Sequence, residues 1–123
     1  MSMDPRYVKF FELFNERDFY ECHEVLEDLW LDTIGEQRAY YQGLIQTATA
    51  FYHLENGNRG GARKLLKTGL NYLKPYPDAF LGFDLGNYRR LCNLWLDRVT
   101  PGADGDEAAI DTEDFPVLDV PSG

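Results

Sequence analysis

The residues best suited to chemistry lie in two short stretches. In Tyr20-Glu21-Cys22-His23-Glu24-Val25-Leu26-Glu27, His23 and Glu27 are four apart, which stacks them on one face of a helix. Glu24 sits beside them, and Tyr20 and Trp30 continue the same stripe. That stripe borders the apolar one of Leu26 and Leu29, so it is expected at or inside the edge of the core. Further along, Tyr41-Gln42-Gly43-Leu44-Ile45-Gln46 leads on to His53. Gln46 and His53 are two turns apart on one face, and the small Ala50 between them leaves room. Gly43 in mid-helix costs about 1 kcal/mol relative to Ala, and close approach of the preceding helix is the simplest compensation. If the two helices pair antiparallel, His23, Glu24, Glu27, Gln46 and His53 converge on a buried polar cluster.

Three chemistries fit such a cluster. It can be a structural network, in which His–Glu–Gln bonds satisfy buried polar groups and fix the register of two helices. It can be a pocket for a small polar ligand, walled by Tyr20, Trp30, Tyr41 and Tyr52. Or it can hold a divalent metal, with His23, Glu27 and His53 as ligands and Glu24 left free as general base of a hydrolase. His-Glu-x-x-Glu departs from the zinc motif His-Glu-x-x-His by losing its second imidazole, which favours a harder metal or none. A structural or small-ligand-binding module is the leading reading, and a divalent-metal-dependent hydrolase is the alternative.

The stretch from Asn15 through His23-Glu24-x-x-Glu27-x-x-Trp30, the run Gln42-Gly43-Leu44-Ile45-Gln46, and Gly61-Ala62-Arg63 together resemble the domain-of-unknown-function family numbered 309. The resemblance covers roughly residues 7–95. It implies a compact helical bundle and marks His23, Glu24, Glu27, Trp30, Gln42 and Gln46 as signature positions. It implies no activity.

The elements that must position these residues follow from periodicity and punctuation. Asp4-Pro5 starts a first helix over about 5–15, with Tyr7, Phe10, Phe11 and Phe14 at helical steps. Asp18 opens a second, with Glu21 at capping-box spacing, expected to reach about residue 34 with Gly35 at C′. A third spans about 36–56 and is closed by Gly57. Asn58 caps a fourth over 59–73, with Leu65, Leu66, Leu70 and Leu73 inward, and Pro75 and Pro77 forbid its continuation. An apolar loop follows over 75–83. Asp84 then caps a fifth helix over 85–99, which buries Leu85, Tyr88, Leu91, Cys92 and Trp95. The expected fold is an all-α bundle of about five helices over residues 1–100, with an acidic, mobile tail over 101–123. The more apolar end of that tail, Phe115-Pro116-Val117-Leu118-Asp119-Val120, can lie in a groove on the body.

At 123 residues, with 44% hydrophobic and 15% aromatic side chains, the chain can build one real core. It has no apolar run long enough to cross a bilayer and no secretory h-region, so a cytoplasmic location is expected. Cys22 and Cys92 have no metal-finger or redox spacing and read as reduced, apolar thiols. Seven of the 21 acids fall in 101–123, which leaves 14 acids against 12 bases over 1–100. The body is nearly neutral and the tail carries most of the net charge of −9. Asp outnumbers Glu by 12 to 9 and Arg outnumbers Lys by 8 to 4, a balance suited to a halophile's high-salt cytoplasm. A melting temperature that rises with molar KCl is the corresponding expectation.

Arg59, Arg63 and Lys67 make a basic stripe, joined on the same helix by Lys64 and Lys74. This reads as a solvated face. Binding to nucleic acid is disfavoured, because the acidic tail competes for the stripe and no RNA-binding signature is present. No Walker, GxGxxG or GxSxG pattern occurs. Exposed parts of Phe10, Tyr40 or Trp95 would provide a homo-oligomer interface.

Overall fold

The computed structural model describes residues 3–102, 105 and 109–122. It contains α1 (Pro5–Asn15), α2 (Phe19–Leu31), α3 (Gln37–Glu55), α4 (Arg59–Leu73), a small hairpin of β1 (Ala79–Phe80) and β2 (Phe83–Asp84), and α5 (Leu85–Val99). The expected all-α bundle is the observed fold. Each helix starts where a short polar side chain can take an orphaned backbone N–H. Asp4 accepts from Arg6 N, Asp18 from Glu21 N, Asn58 from Gly61 N and Asp84 from Asn87 N. The exception is α3, whose N-cap Glu36 makes no such bond.

The helix ends are equally local. At the end of α3, Gly57 adopts φ 76, its N–H bonds to Leu54 O, and Asn58 N bonds to His53 O. This is a Schellman close with glycine in the left-handed position. The end of α1 has the same bonds, Arg17 N to Phe14 O and Asp18 N to Leu13 O, but Arg17 occupies the left-handed position at φ 65. α2 stops three residues short of the expected end. Thr33 Oγ1 donates to Leu29 O, and Arg38 Nη1 donates to Trp30 O and Thr33 O. These side chains satisfy carbonyls that another turn would have used. Gly35, at φ 91, lies just before α3 instead of capping α2. In the expected loop, Leu81 (φ 46) and Gly82 (φ 70) form the two-residue turn that pairs β1 with β2, since positive φ at both central residues suits a tight hairpin.

The core is dominated by aromatic rings. Phe14 meets Phe19, Phe51 and Tyr88 edge-on, and Phe51 meets Trp95 in the same way. Such edge-to-face pairs suit the ring quadrupoles. Phe10 and Tyr40 have no exposed surface and Trp95 is buried, so the three side chains expected to offer a dimer interface are interior. The large apolar side chains at the surface include Tyr20, Leu31, Ile34 and Tyr72. Of the leucines expected inward on α4 and α5, Leu66 and Leu73 are buried, whereas Leu65, Leu70 and Leu91 are only partly covered.

Gly43 has a cause other than the expected one. A Cβ there would lie 2.6 Å from the Leu73 side chain and 3.0 Å from Gly69 O, so the close neighbour is α4 and not α2. Gly69 reciprocates: its Cβ would lie 3.1 Å from Gly43 O and 2.7 Å from Thr47 Cγ2. Two glycines facing each other bring α3 and α4 into backbone contact. Both thiols are buried, as expected, and among the described residues no helix is long and apolar enough to cross a membrane.

The tail was expected to be mobile, and part of that expectation falls on residues 103, 104, 106–108 and 123, outside those described. The described end of the tail packs on the body. Phe115, Pro116, Leu118 and Pro121 are buried there.

Candidate functional site

On α2, Phe19, Cys22, Leu26 and Leu29 turn into the core at helical steps. His23, Glu27 and Trp30 each follow one of these by a single residue and therefore sit at the rim. His23 Nε2 lies 2.9 Å from Glu27 Oε2, and its Nδ1 lies 3.4 Å from Glu24 Oε1. The side chains of His23, Glu24 and Glu27 are 25, 49 and 44% exposed. The expected burial is therefore overturned: the cluster is open to water. A helix buries about two residues per turn, and the next position round falls at the edge of that buried stripe.

Two members of the expected convergence are elsewhere. His53 Nδ1 lies 3.4 Å from Asn58 Nδ2 at the C-terminal end of α3. Gln46 Oε1 accepts a short hydrogen bond from Thr68 Oγ1 on α4. Among the described residues, the ligand atoms that come within 4.8 Å of one another are those of His23, Glu24 and Glu27, without His53. Tyr20 and Tyr52 lie between the two histidines: ring centroids are 6.1 Å apart for Tyr20–His23, 6.1 Å for Tyr20–Tyr52 and 6.0 Å for Tyr52–His53. Tyr41 belongs to the interior, packed on Tyr7 and donating to Gln37 Oε1.

Trp30 and Gln42 come together at the far end of the same surface. With Gly35, Arg38, Ala39 and Tyr72 they line a groove of about 550 Å³ where α2, α3 and α4 meet. The Arg38 guanidinium carbon lies 4.0 Å above the Trp30 ring, a cation–π stack. The sequence reading did not single out Arg38, Thr68 or Tyr72. Their signal was weak, because each lies on a different helix from the residue it meets. Asn58 was recognised as a cap, but not as a neighbour of His53.

A second cavity of about 380 Å³ opens on the other side of α2, lined among others by Asp4, Tyr7, Gln37 and Tyr41. The Arg6 side chain bonds Asp4 and holds the Asp4 carboxyl below its ordinary value. Tyr7 OH donates to Leu81 O, so its 2.7 Å contact with Tyr40 OH uses the Tyr40 proton. Burial raises both phenols well above the ordinary tyrosine range. These groups read as a satisfied wall that joins α1, α3 and the hairpin.

Two curated relatives are similar to this chain in sequence. The chain is similar to the uncharacterized protein YpuF of Bacillus subtilis (strain 168), 35% identical over 86 residues, or 68% of this chain and 49% of the relative. It is also similar to an uncharacterized protein of Aquifex aeolicus (strain VF5), 37% identical over 76 residues, or 61% of this chain and 23% of that protein. The chain thus spans about half of the first relative and about a quarter of the second. The family model described as "Domain of unknown function (DUF309)" matches residues 7–65, from α1 into the first half of α4, the stretch that holds every residue from His23 to His53. Over that stretch the chain belongs to the DUF309 family.

Proposed function

We propose that this chain is a small-ligand-binding module whose seat is the groove between Trp30, Gln42 and Tyr72, extended along α2 to Glu27 and Glu24. The observation that carries the reading is the groove itself. It gathers Trp30 and Gln42, two of the positions the family resemblance marks, from different helices, and it is large enough for a small molecule. A planar or apolar body stacks on Trp30 and Tyr72. Glu27 lies one helical turn from Trp30, so a cationic amine on that body reaches its carboxylate. Such a ligand joins the aromatic end of the surface to its acidic middle.

A divalent cation at His23, Glu24 and Glu27 is the second reading, favoured by the convergence of their ligand atoms. One imidazole and two carboxylates suit a hard or borderline cation that keeps water in its remaining positions. With His53 apart, Glu24 becomes a ligand and is no longer free to act as base. A hydrolase using this cluster then lacks a proton acceptor.

Thermal unfolding with tryptamine as probe tests the first reading. A ligand at about ten times its Kd stabilises the native state by about 1.4 kcal/mol. That gain should disappear in Trp30→Ala and shrink in Glu27→Gln. No stabilisation by tryptamine or other aryl-alkyl amines rejects the reading. Metal content by mass spectrometry of chelator-free protein tests the second: about one divalent ion per chain, lost in His23→Ala, supports it, and no uptake of zinc, manganese or iron rejects it.

A further inference from the structure

The C-terminal segment lies in a groove built by residues of α1, α2, α3 and α5. Phe115 is 2% exposed and sits among Phe19, Phe51 and Trp95, with ring centroids 5.7, 5.2 and 5.0 Å away. Leu118 is also buried, while Val117, Asp119 and Val120 face water. The body holds the segment mainly by its backbone. Asn15 Nδ2 donates to Leu118 O at 2.7 Å, and Asn15 Oδ1 accepts from Leu118 N at 2.7 Å. One side-chain amide thereby imitates a rung of a β-ladder. Arg17 Nη2 donates to Phe115 O at 2.9 Å, and Arg98 Nη2 bonds Asp114 Oδ2 at 3.1 Å.

Two independent observations mark this groove as more than a resting place for a tail. Arg17 holds the left-handed position at the end of α1 that Gly57 holds at the end of α3, and its side chain reaches the segment. A glycine would relieve the backbone there and lose the contact. In addition, Asn15, Arg17, Phe19 and Phe51 lie inside the family match over 7–65, whereas the segment they hold lies outside it. Trp95 and Arg98, which complete the groove, lie outside that match together with the segment.

We infer that this groove is a peptide-binding site for an extended segment of a partner protein, with an aromatic residue, proline, any residue and an aliphatic residue in succession, preceded by an acid. The chain's own Phe115-Pro116-Val117-Leu118 occupies it in cis. Asn15 reads the backbone at the aliphatic position, whose side chain is buried. The aromatic well and the proline step give selectivity, Arg17 holds the carbonyls of Phe115 and Pro116, and Arg98 favours an acid before the aromatic residue. A partner segment competes with the tethered one, whose effective concentration sets the threshold for exchange.

The test uses the full-length chain with Phe115→Ala and Leu118→Ala, which weakens the tethered segment and leaves the groove's own residues unchanged. A fluorescein-labelled synthetic peptide of residues 111–122 is the probe, read by anisotropy. It should bind the double variant at least about ten-fold more tightly than the wild-type chain, whose groove is filled. Adding Asn15→Ala to the double variant should remove that binding. A folded double variant that does not bind the peptide overturns the inference. So does a double variant that fails to fold, because the segment is then core and not ligand. Equal binding to both chains that ignores Asn15→Ala overturns it as non-specific. A wild-type dimer that grows with concentration and is abolished by Phe115→Ala replaces the foreign partner with a second copy and overturns that assignment.

Discussion

The two faces of α3 differ in almost every physical respect. The inner face presents Tyr40, Leu44, Thr47 and Phe51 to a sealed interior, where even the polar atoms form chains: Tyr88 OH donates to Thr47 Oγ1, which donates on to Gly43 O. The outer face presents Gln42, Gln46 and His53, half-covered by α2 and α4 and bordered by the open His23–Glu24–Glu27 cluster. Burial gives the inner residues large individual contributions to stability. Exposed ion pairs contribute little. The outer residues therefore have little work to do in folding, which leaves that side to the proposed ligand.

The contrast can be broken by mutation. Phe51→Ala removes a ring that meets Phe14, Phe19, Trp95 and Phe115, and should cost about 3–5 kcal/mol in denaturant unfolding. A smaller loss would mean that the interior is looser than its ring contacts imply. Alkaline pH probes the same interior without mutation. Burial pushes the Cys92 thiol up to about 12, and it raises Cys22, Tyr7, Tyr40 and Tyr88 as well. These groups keep their protons in the folded state after the unfolded chain has released them. Their contribution is whole below the ordinary values, about pH 9 for the thiols and about pH 10 for the phenols, and falls by about 1 kcal/mol per pH unit per group above them. Urea midpoints measured from pH 8 to 11 should decline steadily, and a flat profile would contradict the burial.

Gly43→Ala sharpens the comparison at the boundary between the faces. The added methyl meets Leu73 and the Gly69 carbonyl, so overpacking should outweigh the gain in helix propensity and cost about 1–3 kcal/mol. Gly43→Ala with Leu73→Ala, which opens space at that point, should recover part of the lost overpacking cost in a double-mutant cycle. The smallest effect belongs to the outer face. His23→Ala or Glu27→Gln should change stability by less than about 1 kcal/mol while altering ligand or metal uptake. A loss as large as that of Phe51→Ala would make the cluster a structural network after all.

Much of this architecture was legible from local chemistry. Asp4-Pro5, Asp18, Asn58 and Asp84 announce helix starts because the capping group and the N–H it satisfies are two or three residues apart. Gly57 announces a helix end because few other residues tolerate its backbone conformation. The stripe of Tyr20, His23, Glu27 and Trp30 followed from helical periodicity alone. The end of α2 did not, because its last carbonyls are taken by Arg38 from the following helix.

What the sequence determined by itself was the number and type of helices, the buried thiols and the identity of residues capable of chemistry, since each depends on neighbours within about a turn. The tertiary structure alone decided which of those residues meet. His23 kept its two carboxylates and lost His53, Gln46 turned to Thr68, Gly43 met Gly69, and the apolar end of the acidic tail found Asn15. Those outcomes depend on how helices rotate and slide as their buried faces close on one another. That rotation is set by the summed packing of the aromatic interior, and no single stretch of sequence contains it.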